Sequence, residues 1–125
     1  MPYPKEESLE FNHFINKESL QNDGSNFMEW YRNLKGVLYQ NDISYVIEEF
    51  LGDNPGNFAS AEAREEFRQR RDIFRSVQYT MFGCMNHELK NHFRHMEPFV
   101  MMNALKTWFV RQVKLEQFEQ LDNFL

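Results

Sequence analysis

Apolar residues in the segment 23–42 recur at helical spacing behind a clear helix-start signal. In this segment, DGSNFMEWYRNLKGVLYQND, Gly24 and Ser25 interrupt regular structure. Asn26 follows as a good N-cap, because its side-chain oxygen can accept an orphan helix N–H. Large apolar residues then come at intervals of three and four: Phe27, Trp30, Tyr31, Leu34, Val37 and Leu38. This period predicts an amphipathic helix from Asn26 to about residue 41, with one stripe carrying the large aromatics.

The other helices are marked by caps and chain breaks. Asp42, Ser60 and Asn86 are suitable N-caps, and Pro98 is tolerated in a first helical turn. A loop is predicted at residues 52–56, whose sequence is GDNPG. The expected helical ranges are 42–50, 60–82, 86–95 and 98 onward. Since the periodic stretches have helical spacing and none alternates for long, we predict an all-α fold, a compact bundle of about five helices.

The apolar stripes predict one core. With 125 residues, of which 42% are hydrophobic, the chain has apolar material for a single core. Residues 1–22 hold scattered apolar residues without a sustained period, so we predict a flexible N-terminal arm there and one helical domain at residues 23–125. The expected core residues of that domain are Phe27, Trp30, Leu34, Leu38, Phe74, Val77, Leu105, Trp108 and Phe109.

Cysteine content and hydropathy bear on the compartment. The single cysteine excludes an internal disulfide, and the chain begins without a recognisable signal peptide. We therefore expect a reducing compartment, the cytoplasm or the nucleus. No apolar run approaches the roughly 20 residues that a membrane span requires, so no membrane partner is expected.

Two separated blocks of residues form a recognisable pattern. The first consists of Gly24-Ser25-Asn26-Phe27, Trp30, Leu34 and Leu38. The second consists of Met85-Asn86-His87-Glu88-Leu89, His92-Phe93, Met96, Ala104-Leu105-Lys106, Phe109, Gln112, Glu116 and Phe118. In their order and approximate spacing these blocks resemble the Gag polypeptide of Copia-type LTR retrotransposons, particularly those of plants. The resemblance covers roughly residues 14–125 and implies the N-terminal lobe of a capsid-like protein.

The resemblance also implies a structural function. Copies of such a domain pack together and enclose the element's RNA in virus-like particles, with RNA contacted through other Gag regions. Two alternatives stay open: a Gag-derived module that a host retains to bind or regulate another protein, and a weak RNA-binding domain. The fold and the core are common to the self-assembling domain and the host-retained module, so the sequence does not separate these two functions.

Sequence motifs of catalysis are missing. The chain has no Gly-x-Ser-x-Gly elbow, no phosphate-binding Gly-rich loop and no His-Glu-x-x-His pair. The adjacent carboxylates at 48–49 and 65–66 point to different sides of a helix. We predict no enzymatic activity, no catalytic residues, no cofactor and no small-molecule substrate.

Five arginines crowd the predicted third helix. This arginine cluster consists of Arg64, Arg68, Arg70, Arg71 and Arg75. Its spacing predicts helical ion pairs from Arg68 to Asp72 and from Glu66 to Arg70. The cluster is either a solvated charged face or a site for RNA, phosphate or an acidic partner. A net charge of −5 opposes general adhesion to nucleic acid.

Cys84, His87, His92 and His95 are residues of types that bind metals. Their spacing is not that of a zinc knuckle, which needs three cysteines. On one continuous helix, Cys84 and His95 would lie about 16 Å apart along the axis, too far to share one ion. We predict no metal site.

Two apolar stripes in the last predicted helix do not share one face. Residues such as Leu105, Trp108 and Phe109 mark the first stripe. The second, called here the C-terminal stripe, consists of Leu115, Phe118, Leu121 and Leu125. Either the chain bends between the two stripes, or the C-terminal stripe meets a partner. Exposed apolar area of this kind favours an interface, so we predict that the stripe mediates self-association.

Overall fold

The computed structural model describes residues 9–109, and every regular element in that range is helical. The elements are α1 (Asn12–Ile15), α2 (Phe27–Gln40), a 3₁₀ helix (Ser44–Ile47), α3 (Ala61–Gly83), α4 (His87–Phe93) and α5 (Pro98–Trp108). The all-α prediction is confirmed for these residues. None of these helices is long and apolar enough to cross a lipid bilayer.

Helix α3 begins and ends close to the predicted positions. The Ser60 hydroxyl accepts a hydrogen bond from the backbone N–H of Ala63 at 3.1 Å, as expected of an N-cap. Pro98 occupies the first turn of α5, where its missing N–H has no partner to lose.

Asp42 ends one helix instead of beginning the next. Its φ is +58°, and its backbone N–H donates to the carbonyl of Tyr39 at 3.1 Å. The N–H of Ile43 donates to the carbonyl of Leu38 at 2.9 Å. These two bonds and the left-handed residue form a Schellman motif that closes α2. The expected second helix is therefore only the 3₁₀ helix Ser44–Ile47, and Asp42 is not its cap.

Asn26 and Asn86 precede their helices, but neither side chain caps the helix that follows. The side-chain oxygen of Asn26 accepts from the backbone N–H of Gln21 at 2.9 Å, and its amide donates to the carbonyl of Ser19 at 2.9 Å. The amide of Asn86 donates to the side-chain oxygen of Gln21 at 3.0 Å. Both asparagines therefore hold residues 19–21 in place, and the capping prediction is wrong at both positions.

Residues 9–22 pack on the helical core, whereas the sequence places them in an arm. Phe14 of α1 is 2% exposed, and Leu20 is fully buried. Leu20 also donates to the carbonyl of Cys84 and accepts from the N–H of Asn86, both at 2.9 Å, in an isolated parallel bridge. A one-turn helix followed by a bridge has no long period, which is why the pattern does not reveal it. Residues 1–8 lie outside the described range.

Most of the predicted core residues are buried. Those with 3% exposure or less are Phe27, Trp30, Leu34, Leu38, Phe74, Val77 and Leu105. Phe109 is partly buried and packs against the core. Trp108 is 45% exposed, so its assignment to the core is wrong. It lies at the edge, beside His92 and Phe93, with ring centroids 4.3 and 5.0 Å away.

Candidate functional site

The predicted self-association residues cannot be placed by the structure. Leu115, Phe118, Leu121 and Leu125 all lie outside the described residues 9–109. Within that range, the most exposed large apolar side chain is Phe58, in the segment between the 3₁₀ helix and α3. Other large hydrophobic residues with substantial exposure are Ile15, Tyr39, Phe50, Tyr79, Val100 and Trp108.

Arg68 is neutralised by acids on its own helix. Its guanidinium pairs with Glu65 one turn before it and with Asp72 one turn after it, the second at 3.1 Å. The predicted pair of Arg68 with Asp72 is confirmed. The hydrogen bond from Arg68 lowers the pKa of Glu65 and, reciprocally, raises the pKa of Arg68. Arg68 is thus part of a solvated charged face rather than a free cation.

Arg70 stabilises the fold. Its guanidinium donates to the carbonyl oxygens of residues 51 and 50 at 3.0 and 2.8 Å, and it lies 4.7 Å from the centre of the Phe74 ring. Its carboxylate partner is Glu49, at 3.7 Å, rather than the predicted Glu66. The side chain is only 18% exposed, because it fastens the segment after the 3₁₀ helix to α3. It is not available to an external anion.

The remaining members of the arginine cluster share a helix face with Arg68, at spacings of three and four residues, but their surroundings differ. Arg71 lies 3.4 Å from Asp72, and its Nε is buried without a hydrogen-bond partner. Arg64 is exposed near the start of α3. Arg75 lies three turns further along and faces a cleft. The helix therefore distributes the five arginines among different roles.

The cleft that Arg75 faces has a volume of about 420 Å³. One wall is the second half of α3, and the other is the end of α4 with the turn that follows it. Its lining residues are Arg75, Gln78, Tyr79, Phe82, Phe93, Arg94 and His95. Among residues 9–109, the lining combines cationic and aromatic side chains and contains no carboxylate.

The sequence marks only one of the two arginines that line this cleft. Arg75 belongs to the arginine cluster, whereas no motif marks Arg94. The α3 wall has a detectable signal, because Arg75, Tyr79 and Phe82 are separated by four and three residues and therefore share a helix face. Placing Arg94 opposite them requires the packing of α4 against α3, which no local pattern contains.

The four potential metal-binding residues have separate roles. Cys84 is buried, and its burial raises the pKa of the thiol. His87 lies 3.4 Å from the Asn91 amide, His92 packs on Trp108, and His95 lines the cleft. Among residues 9–109 there is no group of three or more His, Cys, Asp or Glu side chains able to hold a metal ion.

Chelation should therefore leave the protein unchanged. We expect excess EDTA to shift neither the melting temperature nor the helical circular dichroism signal, since folding that depended on a bound metal would respond to its removal. Elemental analysis of the purified protein is the second measurement. Stoichiometric zinc that is lost in a Cys84→Ser variant would contradict the prediction.

Comparisons with protein-family models, with curated proteins and with solved structures found no significant match to this chain. The resemblance to Gag polypeptides therefore rests on the two sequence blocks alone.

Proposed function

We propose that this chain is a capsid-like Gag domain of the Copia type, whose function is to pack against copies of itself. The proposal is supported by the position of the resembling residues in the fold. Phe27 of the first block and Phe109 of the second have ring centroids 5.6 Å apart. Residues far apart in sequence that carry the resemblance thus meet in one structural unit.

Polar contacts link the same two blocks. Asn26 of the first block accepts from the backbone of Gln21, and Asn86 of the second donates to the side chain of Gln21. The indole N–H of Trp30 donates to the carbonyl of Cys84, just before the second block, at 2.9 Å. These motif residues stabilise the fold. We therefore assign the function to surface residues, because a self-assembling domain acts through the surfaces that its copies bury against each other.

The C-terminal stripe is the proposed contact surface. Its four apolar residues recur at intervals of three and four, and exposed apolar area of that kind usually marks an interface. In a symmetric oligomer the same stripe on two copies would be buried together. The exposed Phe58 would also be available to a neighbouring copy.

Light scattering over a range of concentrations tests self-association. We expect the parent chain to form a dimer or larger oligomer and the double variant Phe118→Asp, Leu121→Asp to be monomeric and still helical. The double variant Gln117→Asp, Gln120→Asp is the matched control, because it adds the same charge at polar positions of the same segment. It should associate like the parent.

Two outcomes would contradict this proposal. A parent that stays monomeric at high concentration would remove self-association and favour the alternative of a Gag-derived module that binds another protein. A Phe118→Asp, Leu121→Asp variant that unfolds instead of dissociating would show that the stripe belongs to the chain's own core.

A further inference from the structure

We propose that the cleft between α3 and the end of α4 binds a nucleoside phosphate, with the phosphate on Arg75 and Arg94 and the base against the aromatic side chains. This inference goes beyond self-association and does not depend on it, since it is argued from residues of α3, α4 and the turn that follows α4.

The size and lining of the cleft suit a small molecule with a flat ring. Its volume of about 420 Å³ falls within the roughly 300–1,000 Å³ of small-molecule sites. Phe93 is fully buried and contributes an apolar inner wall, whereas Tyr79 is 69% exposed and presents its ring to solvent. Phe82 lies on α3 one turn from Tyr79. Rings of this kind provide stacking surfaces for any nucleobase.

Arg75 and Arg94 provide positive charge at the cleft. Within residues 9–109, neither arginine has an ion-pair partner, whereas Arg68, Arg70 and Arg71 each lie beside a carboxylate. A guanidinium group binds phosphate oxygens through two parallel N–H bonds, which gives both affinity and orientation. In a chain of net charge −5, two arginines on one cleft, both without an ion-pair partner among the described residues, form a local positive site suited to an anionic ligand.

The turn after α4 positions the second wall. His95 has a φ of +70°, a left-handed conformation that residues other than glycine adopt uncommonly and that is often found at ligand sites. This conformation ends the helix so that Arg94 and His95 both line the cleft. The Arg94 guanidinium lies 5.9 Å from the centre of the Phe82 ring, close enough for a cation–π contact that steadies it at the cleft wall.

The combination of charge and aromatic rings selects the ligand class. An acidic peptide or free phosphate would satisfy the arginines but would leave the exposed ring of Tyr79 without a stacking partner. A nucleotide satisfies both, since each has a phosphate and a flat base. Free nucleotides and nucleotides within single-stranded RNA share this chemistry, and the experiment distinguishes the two sources.

Calorimetric titration of the full chain tests the proposal with five probes. These are AMP, a short single-stranded RNA, adenosine, inorganic phosphate and a polyglutamate peptide. We expect AMP or the RNA to bind about tenfold or more tightly than either adenosine or phosphate, because only a nucleotide engages rings and arginines together. Binding of AMP would identify a free nucleotide as a sufficient ligand, and binding of RNA alone would identify the polymer.

Matched variants locate the binding. Arg75→Ala and Tyr79→Ala should each weaken nucleotide binding about tenfold, the loss of one charged contact or one stacked ring. Arg64→Ala, on the same helix outside the cleft, and Tyr39→Ala, an equally exposed tyrosine on α2, should bind like the parent. Because all four side chains are exposed, we expect unchanged melting temperatures.

Three results would overturn the proposal. The first is that neither AMP nor the RNA binds. The second is that phosphate or a polyglutamate peptide binds as tightly as the nucleotide, which would mean that the cleft recognises charge alone. The third is that the Arg75 and Tyr79 variants bind like their matched controls.

Discussion

Replacing Trp30 by alanine should lower the free energy of unfolding by about 3–5 kcal/mol, as for other buried aromatic truncations. Trp30 is 2% exposed and its ring centroid lies 5.4 Å from that of Phe14 and 6.4 Å from that of Phe27. The substitution would open a cavity where α2 meets the N-terminal segment. Chemical denaturation of the parent and the variant measures the difference.

Trp30→Phe separates the hydrogen bond from the packing. This variant keeps a large ring but loses the indole N–H that donates to the carbonyl of Cys84. That carbonyl still accepts from the backbone N–H of Leu20, so the expected cost is only about 1–2 kcal/mol. A cost equal to that of Trp30→Ala would mean that the ring itself contributes little.

Trp108→Ala is the matched control for tryptophan removal. Trp108 is 45% exposed, so its truncation should cost on the order of 1 kcal/mol. Equal losses at the two positions would contradict the burial of Trp30. The same comparison tests the position of Trp108 at the edge of the core, because the sequence pattern predicts both tryptophans to be core residues.

The helical spacing of apolar residues predicts the long helices α2 and α3 because each of them buries only one side against the core. Helices α2 and α3 each bury one stripe, and a stripe leaves a repeating trace in the sequence. Helix α5 has more apolar residues than the core covers. The spacing of Trp108 therefore predicts a core residue, although its side chain lies at the edge of the core.

The helix N-caps show where predictions made from neighbouring residues in the sequence fail. Asparagine before an apolar stripe predicts an N-cap, but the side chains of Asn26 and Asn86 instead bind Gln21. For Asn86 the competing partner is 65 residues away in sequence and has no local signal, whereas the partners of Asn26 lie within seven residues, in a segment without a helical period. The cleft is likewise only partly predictable from sequence. The residues of its α3 face have helical spacing, whereas Arg94 reaches the cleft only because α4 packs against α3.

Gly24→Ala should be the second strongly destabilising substitution, with a loss of about 2–5 kcal/mol. Gly24 has a φ of +72°, a conformation that an alanine adopts at a cost. A methyl group at this position would also overlap the ring of Phe109, which packs against Phe27. The ring would have to leave its site between the start of α2 and the end of α5.

Gly52→Ala isolates the backbone contribution. Gly52 has a comparable φ of +89°, but a methyl group there would meet nothing within 4 Å. Its alanine variant should therefore lose only about 1–2 kcal/mol. The excess loss at Gly24 is the expected cost of displacing the Phe109 ring.

A double-mutant cycle with Phe109→Ala measures that excess directly. In the Phe109→Ala background the overlap is gone, so Gly24→Ala should cost no more than Gly52→Ala does in the parent. The coupling would establish that the glycine of the first sequence block exists to admit an aromatic ring from the second. Equal costs of Gly24→Ala with and without the Phe109 ring would refute this close approach, and with it the packing of the two blocks on which the capsid-like proposal depends.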